Sequence, residues 1–337
     1  MDLTICSQGG QAPLWRYARE AILLAVCAFA LGGPASAAQP LILAISKASI
    51  NLPIFVAEHE GYFTAEGVSV QIDEVASGVR GMELMAEGKA DMTTGSEVLV
   101  MFNSFKRNDF AIVATFGTST EDQKVIVHAQ SGIGSGAQLA NKRVGTILGS
   151  ASHYYIDTLA LLNGVDPKSI TLVGYQPGTI VGALARHEVD AISIWQPQGY
   201  RATQEIPGAK VLADSGFYTQ RYNLIASREV IGARADDLTR LLRALDRANQ
   251  FIANEPAKVR AILSARLQVE AAYAEWLLPR YRFRLALDQS LLTSLESEAR
   301  WAREEGHVKA TQLPNYLTFI QSAPLARVRR NAVGIAQ

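Results

Sequence analysis

The segment 68–87 constrains the fold of this chain most strongly, because it places a strand directly before a turn and a helix. Apolar residues alternate along Val68 to Val75, which predicts a half-buried strand, and Val79 to Glu87 carries them at helical spacing. Ser77 and Gly78 lie between the two, where free backbone N–H groups and a hydroxyl follow the strand's carboxyl end. Open α/β sheets bind small ligands at such strand ends, so the segment predicts an α/β fold with a ligand site.

The same alternation of strands and helices continues on both sides of this segment, which predicts a mainly parallel sheet flanked by helices. The predicted elements of this first series are strands at Leu41 to Ser46, Val68 to Val75, Ala90 to Thr93 and Phe110 to Phe116, and helices at Leu52 to Glu60, Val79 to Glu87 and Glu97 to Arg107. The first helix is expected to end on Gly61, since glycine enters the left-handed conformation without a Cβ penalty.

A second series follows an extended connector at Asp122 to Ala129 and predicts a second α/β lobe. Its elements are strands at Arg143 to Ile147, Ile170 to Tyr175, Ala191 to Trp195 and Lys210 to Ala213, and helices at Ser152 to Leu162, Gly178 to His187 and Pro197 to Glu205. Tyr222 to Ser227 is predicted to cross back to the first lobe. From Asp236 onward the spacing becomes helical, so a helical C-terminal tail is expected to pack on the first lobe.

Composition excludes several classes of protein. The chain has 337 residues, 48% of them hydrophobic, and 32 basic side chains balance 32 acidic ones. This length and composition suit one or two substantial cores, and the balanced charge gives no general attraction for nucleic acid or anionic membrane. We expect no nucleic-acid partner.

The amino terminus has the pattern of a cleaved signal peptide. Arg16 and Arg19 precede an apolar run that ends at Leu31, and small residues up to Ala37 suit a signal peptidase. We expect residues 1–37 to be removed and the mature protein to reach the periplasm. The alternatives are lipoprotein processing at Cys27 and an uncleaved membrane anchor.

Cleavage after Ala37 would remove Cys6 and Cys27, the only cysteines of the sequence. The mature protein would then have no disulfide, no thiolate nucleophile and no cysteine-ligated metal. The histidines other than His153, at positions 59, 128, 187 and 307, show no His-x-x-x-His or carboxylate spacing of a metal site, and no metal and no cofactor are predicted.

Several short motifs, each weak alone, occur in an order and spacing that is specific in combination. They are Ser46-Lys47, Glu60-Gly61-Tyr62-Phe63, Gly88-Lys89-Ala90-Asp91 followed by Thr94-Gly95-Ser96, Leu139-Ala140-Asn141-Lys142-Arg143-Val144-Gly145, Gly149-Ser150-Ala151-Ser152-His153-Tyr154, and Asp190 through Pro197. Over about residues 40–230 the chain resembles the periplasmic substrate-binding proteins of ABC importers, in the family of nitrate, sulfonate, taurine and thiamine-precursor binders, the aliphatic sulfonate-binding and NMT1/THI5-like proteins.

This resemblance implies a type II periplasmic-binding-protein fold, in which two lobes joined by two crossing segments close around a ligand. The first lobe would comprise residues 38–128 and 219–337, and the second lobe residues 129–218. The resemblance also implies a monomer that captures a small anion and delivers it to a permease and ATPase complex in the inner membrane. A sensor that docks to a membrane receptor would use the same lobes and remains an alternative.

Four turns at strand ends are predicted to face the cleft, and their serines suit an oxyanion because hydroxyls, free N–H groups and helix dipoles combine there. Ordinary N-capping by serine is the alternative at each turn. The candidate ligand-binding residues are Lys47, Asn51, Ser77, Gly78, Gly95, Ser96, Ser150, Ser152, His153 and Trp195.

Three of these candidates have a plain structural alternative. Lys47 follows the first strand, where the resemblance implies a sulfonate-binder cation, but an ordinary solvated lysine fits equally. Trp195 is either a cleft aromatic or a core residue. His153 either donates to an anion or packs. Gln196 stands where many relatives have an acid, which argues against a cationic ligand.

Catalysis is not expected. Relatives of this fold that make the pyrimidine precursor of thiamine use cysteine and histidine with iron, and the mature chain would lack cysteine. The sequence has no Gly-x-Ser-x-Gly elbow, and the glycines at 132–136 precede a strand instead of following one, so they do not form a phosphate loop. A neutral pyrimidine-type thiamine precursor remains an alternative ligand.

Overall fold

The computed structural model describes residues 1, 2, 4, 39–212 and 216–335. It divides the chain into Met1–Gln39 and Pro40–Gln337, and the architecture below is that of the second unit. This unit contains two β-sheets, each flanked by helices, so the predicted α/β class is confirmed.

The predicted signal peptide and the alternative lipid anchor cannot be followed in this architecture. The expected cleavage site at Ala37 and the anchor at Cys27 both lie outside the described residues. Among the residues that are described, no helix has both the length and the apolar character that a membrane crossing needs. The targeting of this chain therefore stays a prediction from its sequence.

The first sheet has six strands in the order β11-β4-β10-β3-β1-β2. Strand β1 pairs in parallel with β2 and β3, whereas β10 runs antiparallel between β3 and β4. Its strands are β1 Leu41–Ser46, β2 Val70–Val75, β3 Met92–Ser96, β4 Phe110–Ser119, β10 Gln220–Ser227 and β11 Arg282–Ala286. Their buried residues belong to one large apolar core.

The second sheet has five strands in the order β7-β6-β8-β5-β9, and its returning strand β5 is antiparallel to β8. Its strands are β5 Gln123–Val127, β6 Arg143–Thr146, β7 Thr171–Gly174, β8 Ala191–Trp195 and β9 Lys210–Val211. We call the elements packed around the two sheets the first lobe and the second lobe. The chain passes between the lobes after β4 and again after β9.

Helices cover both sheets. They are α1 Leu52–His59, α2 Tyr62–Ala65, α3 Gly78–Ala86, α4 Glu97–Ser104, α5 Ala151–Leu162, α6 Ile180–Ala185, α7 Gln198–Glu205, α8 Arg228–Ala233, α9 Ala235–Asn254, α10 Pro256–Leu267, α11 Ala271–Leu277, α12 Gln289–Glu304 and α13 Ala323–Val328. Gly61 follows α1 with φ 68°, the left-handed conformation expected of it.

Two elements differ from the sequence-based prediction. The connector predicted at Asp122 to Ala129 contains β5, an interior strand of the second sheet, because its residues pair with both β8 and β9. The tail is helical except for β11, which pairs with β4 at the edge of the first sheet. Ala213, the predicted end of the fourth strand of the second lobe, lies outside the described residues. The lobe boundaries themselves stay a prediction.

Close packing of α3 on the first sheet gives a first testable prediction. A Cβ at Gly81 would lie 2.0 Å from Thr93 Oγ1, which donates a buried hydrogen bond to the Ala44 carbonyl. We expect Gly81→Ala to lower the free energy of unfolding by about 1–3 kcal/mol, because the overpacked threonine must move. Urea unfolding measures this change.

The matched control is Gly232→Ala on α8, where a Cβ would meet no atom within 4 Å. This replacement is expected to be neutral or to stabilise by up to about 1 kcal/mol, the helix propensity gained. Equal effects of Gly81→Ala and Gly232→Ala would contradict the packing argument.

Candidate functional site

A narrow cavity of about 30 Å³ lies between the lobes, at the carboxyl ends of the parallel strands. This volume holds only a few water molecules, so a larger ligand requires the lobes to move apart. Both lobes and both crossings contribute to its wall: Ala48, Ile50, Ser77, Gly78, Val79, Gly95, Ser96, Leu99, Asp122, Gln123, Ser150, Ala151, Trp195, Gln220 and Tyr222. Among these described wall residues none is basic.

Three helices begin at the cavity. Ser77, Ser96 and Ser150 are the N-cap residues of α3, α4 and α5, and all three are buried. The Ser150 hydroxyl accepts from Ser152 N at 3.2 Å and donates to the Ile147 carbonyl at 2.7 Å. The Ser77 and Ser96 side chains make no capping bond among the described residues. Their hydroxyls are therefore available to a ligand, whereas Ser150 acts as an ordinary cap.

Gly78 and Gly95 allow α3 and α4 to approach at the cavity. A Cβ on Gly78 would lie 2.8 Å from the Thr94 carbonyl oxygen, and a Cβ on Gly95 would lie 2.3 Å from Leu99 Cδ2. Larger residues would push these elements apart, so both glycines shape the wall.

Asp122, in the first crossing, brings a carboxyl group to the wall. It is 1% exposed, accepts a hydrogen bond from the Tyr281 hydroxyl, and receives a weaker one from Gln123 Nε2 at 3.3 Å. Burial raises the pKa of Asp122 to about 6, although the bond from Tyr281 and the positive charge of Lys124 oppose this shift. The cavity therefore contains an acid that changes charge near neutral pH.

Two glutamines join the crossings. Gln123 Nε2 donates to Gln220 Oε1 at 2.6 Å, and Ser152 Oγ donates to Gln123 Oε1 at 2.8 Å. Ser152 was predicted as a ligand contact, but it is fully buried behind the wall. In this structure it orients Gln123, which faces the cavity.

Tyr222, on β10, belongs to the same wall. Burial raises the pKa of Tyr222 to about 12, whereas hydrogen bonding to Ser46, Thr94 and Asn51 acts in the opposite direction. Asn51 also donates to the Ser46 carbonyl at 2.8 Å. The structure thus places Asn51 behind Tyr222, outside the wall itself.

Trp195 ends β8 and lines the cavity with an aromatic ring that is partly exposed. Leu99 and Val79 belong to the same wall. Together they give the cavity an apolar side beside the helix starts, which suits the body of an organic ligand.

Lys47 does not line this cavity. Its ammonium pairs with Glu74 Oε2 at 3.0 Å, its side chain is 57% exposed, and it lines a separate groove with Trp195. The role of Lys47 in anion binding stays a prediction. The alternative is that Lys47 only forms this exposed ion pair with Glu74.

His153 lies on α5 but is also absent from the described wall. It stacks on Phe102 at a centroid distance of 6.3 Å and meets Trp301 edge-on, and both partners belong to the first lobe. Burial lowers the pKa of His153 to about 4; Asp157 opposes this shift and His307 reinforces it. His153 is thus a neutral contact between the lobes.

Sequence reasoning missed the polar wall residues that come from the crossings. Asp122, Gln123, Gln220 and Tyr222 were not singled out, because a short connector has no periodic pattern that marks a site. The one signal that could have found them was the implied fold, in which two crossing segments join the lobes beside the ligand.

The family model described as NMT1/THI5 like matches residues 50–259, which is more than half of the chain. The chain belongs to this family. The match begins two residues before α1 and ends within α10, so it includes the whole cavity wall except Ala48.

Two sequence relatives differ in their names. One, from Brucella abortus (strain 2308), is named as a binding protein; it is 23% identical over 225 residues, 65% of this chain and 69% of the relative. Another, from Uromyces fabae, is named a 4-amino-5-hydroxymethyl-2-methylpyrimidine phosphate synthase; it is 34% identical over 126 residues, 36% of either chain. The relatives of this chain thus include one named as a binding protein and one named as a synthase.

Among solved structures, the chain is similar to the alkanesulfonate-binding protein of Xanthomonas axonopodis pv. citri, solved with MOPS bound. The TM-score is 0.76 at 17% identity, covering 86% of this chain and all of that one. The expected two-lobe periplasmic-binding-protein fold is confirmed by this similarity.

Proposed function

We propose that this protein is a periplasmic solute-binding protein that captures a small organic anion between its lobes. One observation carries the proposal: three helix N-termini, at Ser77, Ser96 and Ser150, come from both lobes to one buried cavity. Free N–H groups and helix dipoles favour anions there. The name of the alkanesulfonate-binding neighbour points to the same class of ligand.

Capture and closure follow from the distribution of these groups. The serines of α3 and α4 hold the anionic end on the first lobe, and Trp195 with the start of α5 covers it from the second lobe. A ligand that contacts both lobes shifts the population toward the closed form. We propose that the closed monomer then docks to an ABC permease and its ATPase, with a sulfonate, taurine or nitrate-like anion as cargo.

Binding is proposed in preference to catalysis. Both cysteines precede residue 28, and the described wall contains neither cysteine nor histidine. Its side chains hydrogen-bond and pack, and they offer no nucleophile paired with a base.

A second candidate ligand is favoured by Asp122. The described wall residues include no lysine, arginine or histidine, so an ionised Asp122 would repel an anion there. The same carboxylate could accept hydrogen bonds from a neutral heterocycle with N–H donors, such as an aminopyrimidine stacked on Trp195. The two ligand classes respond to pH and to substitution of Asp122 in opposite directions.

A thermal-melt screen tests the proposal, because a ligand of the folded state raises the melting temperature by mass action. The panel contains alkanesulfonates, taurine, nitrate, bicarbonate, small carboxylates and pyrimidines. A shift with an anion supports the proposal, a shift with a pyrimidine alone supports the second candidate, and no shift with any class contradicts both.

We expect Ser96→Ala and Trp195→Ala each to weaken binding of the identified ligand by about 1 kcal/mol or more, about fivefold, since each removes a contact in a buried cavity. Isothermal titration measures the change. Ser96 is preferred to Ser150 here, because losing the Ser150 cap would also destabilise α5.

Lys47→Ala is the control for these two variants. Its side chain is exposed and outside the cavity wall, so we expect its affinity to stay within about twofold of the original, as for a solvated ion pair. A larger loss in Lys47→Ala than in Ser96→Ala would relocate the anion site to the neighbouring groove.

A further inference from the structure

A cluster of three metal-binding side chains lies where the second lobe contacts the first, outside the cavity wall. His153 and Asp157 are on α5, and His307 follows α12. His307 Nε2 is 2.9 Å from Asp157 Oδ2, and His153 Nε2 is 3.8 Å from the same oxygen. All three ligand atoms lie within 4.8 Å of one another.

These separations are close to what a metal ion requires. Bonds of about 2.0–2.2 Å from zinc to nitrogen and oxygen place tetrahedral ligands roughly 3.3 Å apart. Rotation of the His307 side chain, which is 24% exposed, adjusts the set without moving α5.

Two atoms of the cluster are buried without a hydrogen-bond partner among the described residues. They are His153 Nε2 and Asp157 Oδ1, on side chains whose residues are 6% and 1% exposed. An unsatisfied buried polar atom is costly, and coordination satisfies it. Coordination through His153 Nε2 needs the ring proton on Nδ1, so the long 3.4 Å hydrogen bond that Nδ1 accepts from Gly149 N–H is given up when a metal binds.

The surroundings also suit a metal site. The Trp301 ring lies 5.5 Å from the His153 ring and 4.8 Å from the His307 ring, and Phe102 stacks on His153. Such an apolar shell restricts water at the ligands, while the exposed side of His307 leaves a position for one solvent ligand.

We propose that His153, Asp157 and His307 form a binding site for a divalent transition-metal ion of the zinc class. Two imidazoles and a carboxylate match the ligand preferences of zinc. Because α5 belongs to the second lobe and the segment after α12 to the first, the bound ion links the lobes. Lys168 and Glu305 pair at 3.5 Å along the same edge, so the ion strengthens a contact that already exists.

Zinc titration of the chelator-treated protein tests this site. We expect one Zn²⁺ per chain by isothermal titration, a higher melting temperature with zinc, and visible absorption of four-coordinate Co²⁺ when cobalt replaces zinc. His307→Ala and Asp157→Asn should each lower zinc affinity by at least about tenfold. His307 is partly exposed, so its replacement leaves the fold intact.

Two histidine variants serve as controls. His59 has an exposed side chain, and His187 lies 3.9 Å from His128, ring to ring, which makes that pair the competing imidazole site. His59→Ala and His187→Ala should leave zinc affinity unchanged. No zinc binding, unchanged affinity in His307→Ala, or an equal loss in His187→Ala would each overturn the proposal.

Discussion

Replacing Glu298 by glutamine is expected to raise the free energy of unfolding at pH 8 and to leave it almost unchanged at pH 4.5. Glu298 lies on α12, is 1% exposed, and neither carboxyl oxygen has a hydrogen-bond partner among the described residues. Burial raises its pKa well above the ordinary value of 4.5, and the nearby carboxylate of Glu97 adds to the shift.

The direction of the pH effect follows from these pKa values. Below pH 4.5 the carboxyl is protonated in the folded and the unfolded chain, so it does not affect their balance. Above pH 4.5 it ionises first in the unfolded chain, and stability falls as the pH rises toward the folded-state pKa. Glutamine has the same shape and stays neutral, so this loss disappears.

Glu97 shows the same direction of shift. Burial raises its pKa to about 7, although the Arg221 charge opposes the shift. Both buried carboxyls therefore disfavour the folded chain when they ionise. We expect the original protein to lose stability as the pH rises from 5 to 8, and Glu298→Gln to recover part of that loss.

Urea unfolding at pH 4.5 and pH 8 measures both quantities. Glu296→Gln on the same helix is the matched control, because that side chain is exposed and its replacement should be neutral at either pH. A Glu298→Gln protein that is less stable than the original at pH 8 would show that the ionised carboxylate has a stabilising partner.

The sequence predicted the elements whose pattern is local. Parallel strands end at one edge of a sheet, so the serines that begin α3, α4 and α5 were expected to share a cleft, and the structure places Ser77, Ser96 and Ser150 at one cavity. His153 differs: its side chain stacks on Phe102 and meets Trp301, both in the first lobe, and it is not among the described wall residues.

Contacts between distant parts of the chain could not be predicted from a local pattern. Gln123 meets Gln220 across 97 residues, and Asp157 meets His307 across 150. The spacing of His153 and Asp157 on α5 is a local sign of the metal cluster, but no spacing rule reaches His307 on a distant segment. Asp122 is similar: its burial depends on Tyr281, which is 159 residues away.

Asp122→Asn is expected to raise the affinity for an anionic ligand at pH 7.5. The carboxyl, with its pKa raised to about 6 by burial, is largely ionised at that pH and repels an anion in the same cavity. Asp122 must therefore take up a proton when the anion binds. Protonating a carboxyl of pKa about 6 at pH 7.5 costs about 2 kcal/mol of binding free energy. We expect on the order of tenfold tighter binding in the variant.

The pH profile separates the two ligand classes. In the original protein, anion affinity should rise as the pH falls from 7.5 to 5, and Asp122→Asn should abolish this rise. A neutral heterocycle that donates N–H to the carboxylate behaves in the opposite way, because acidification and Asp122→Asn both remove its acceptor. Glu121→Gln is the control, since Glu121 pairs with Lys124 at 2.7 Å outside the wall. Weaker anion binding in Asp122→Asn would contradict the proposed ligand class, because removing a repelling negative charge should raise the affinity for an anion.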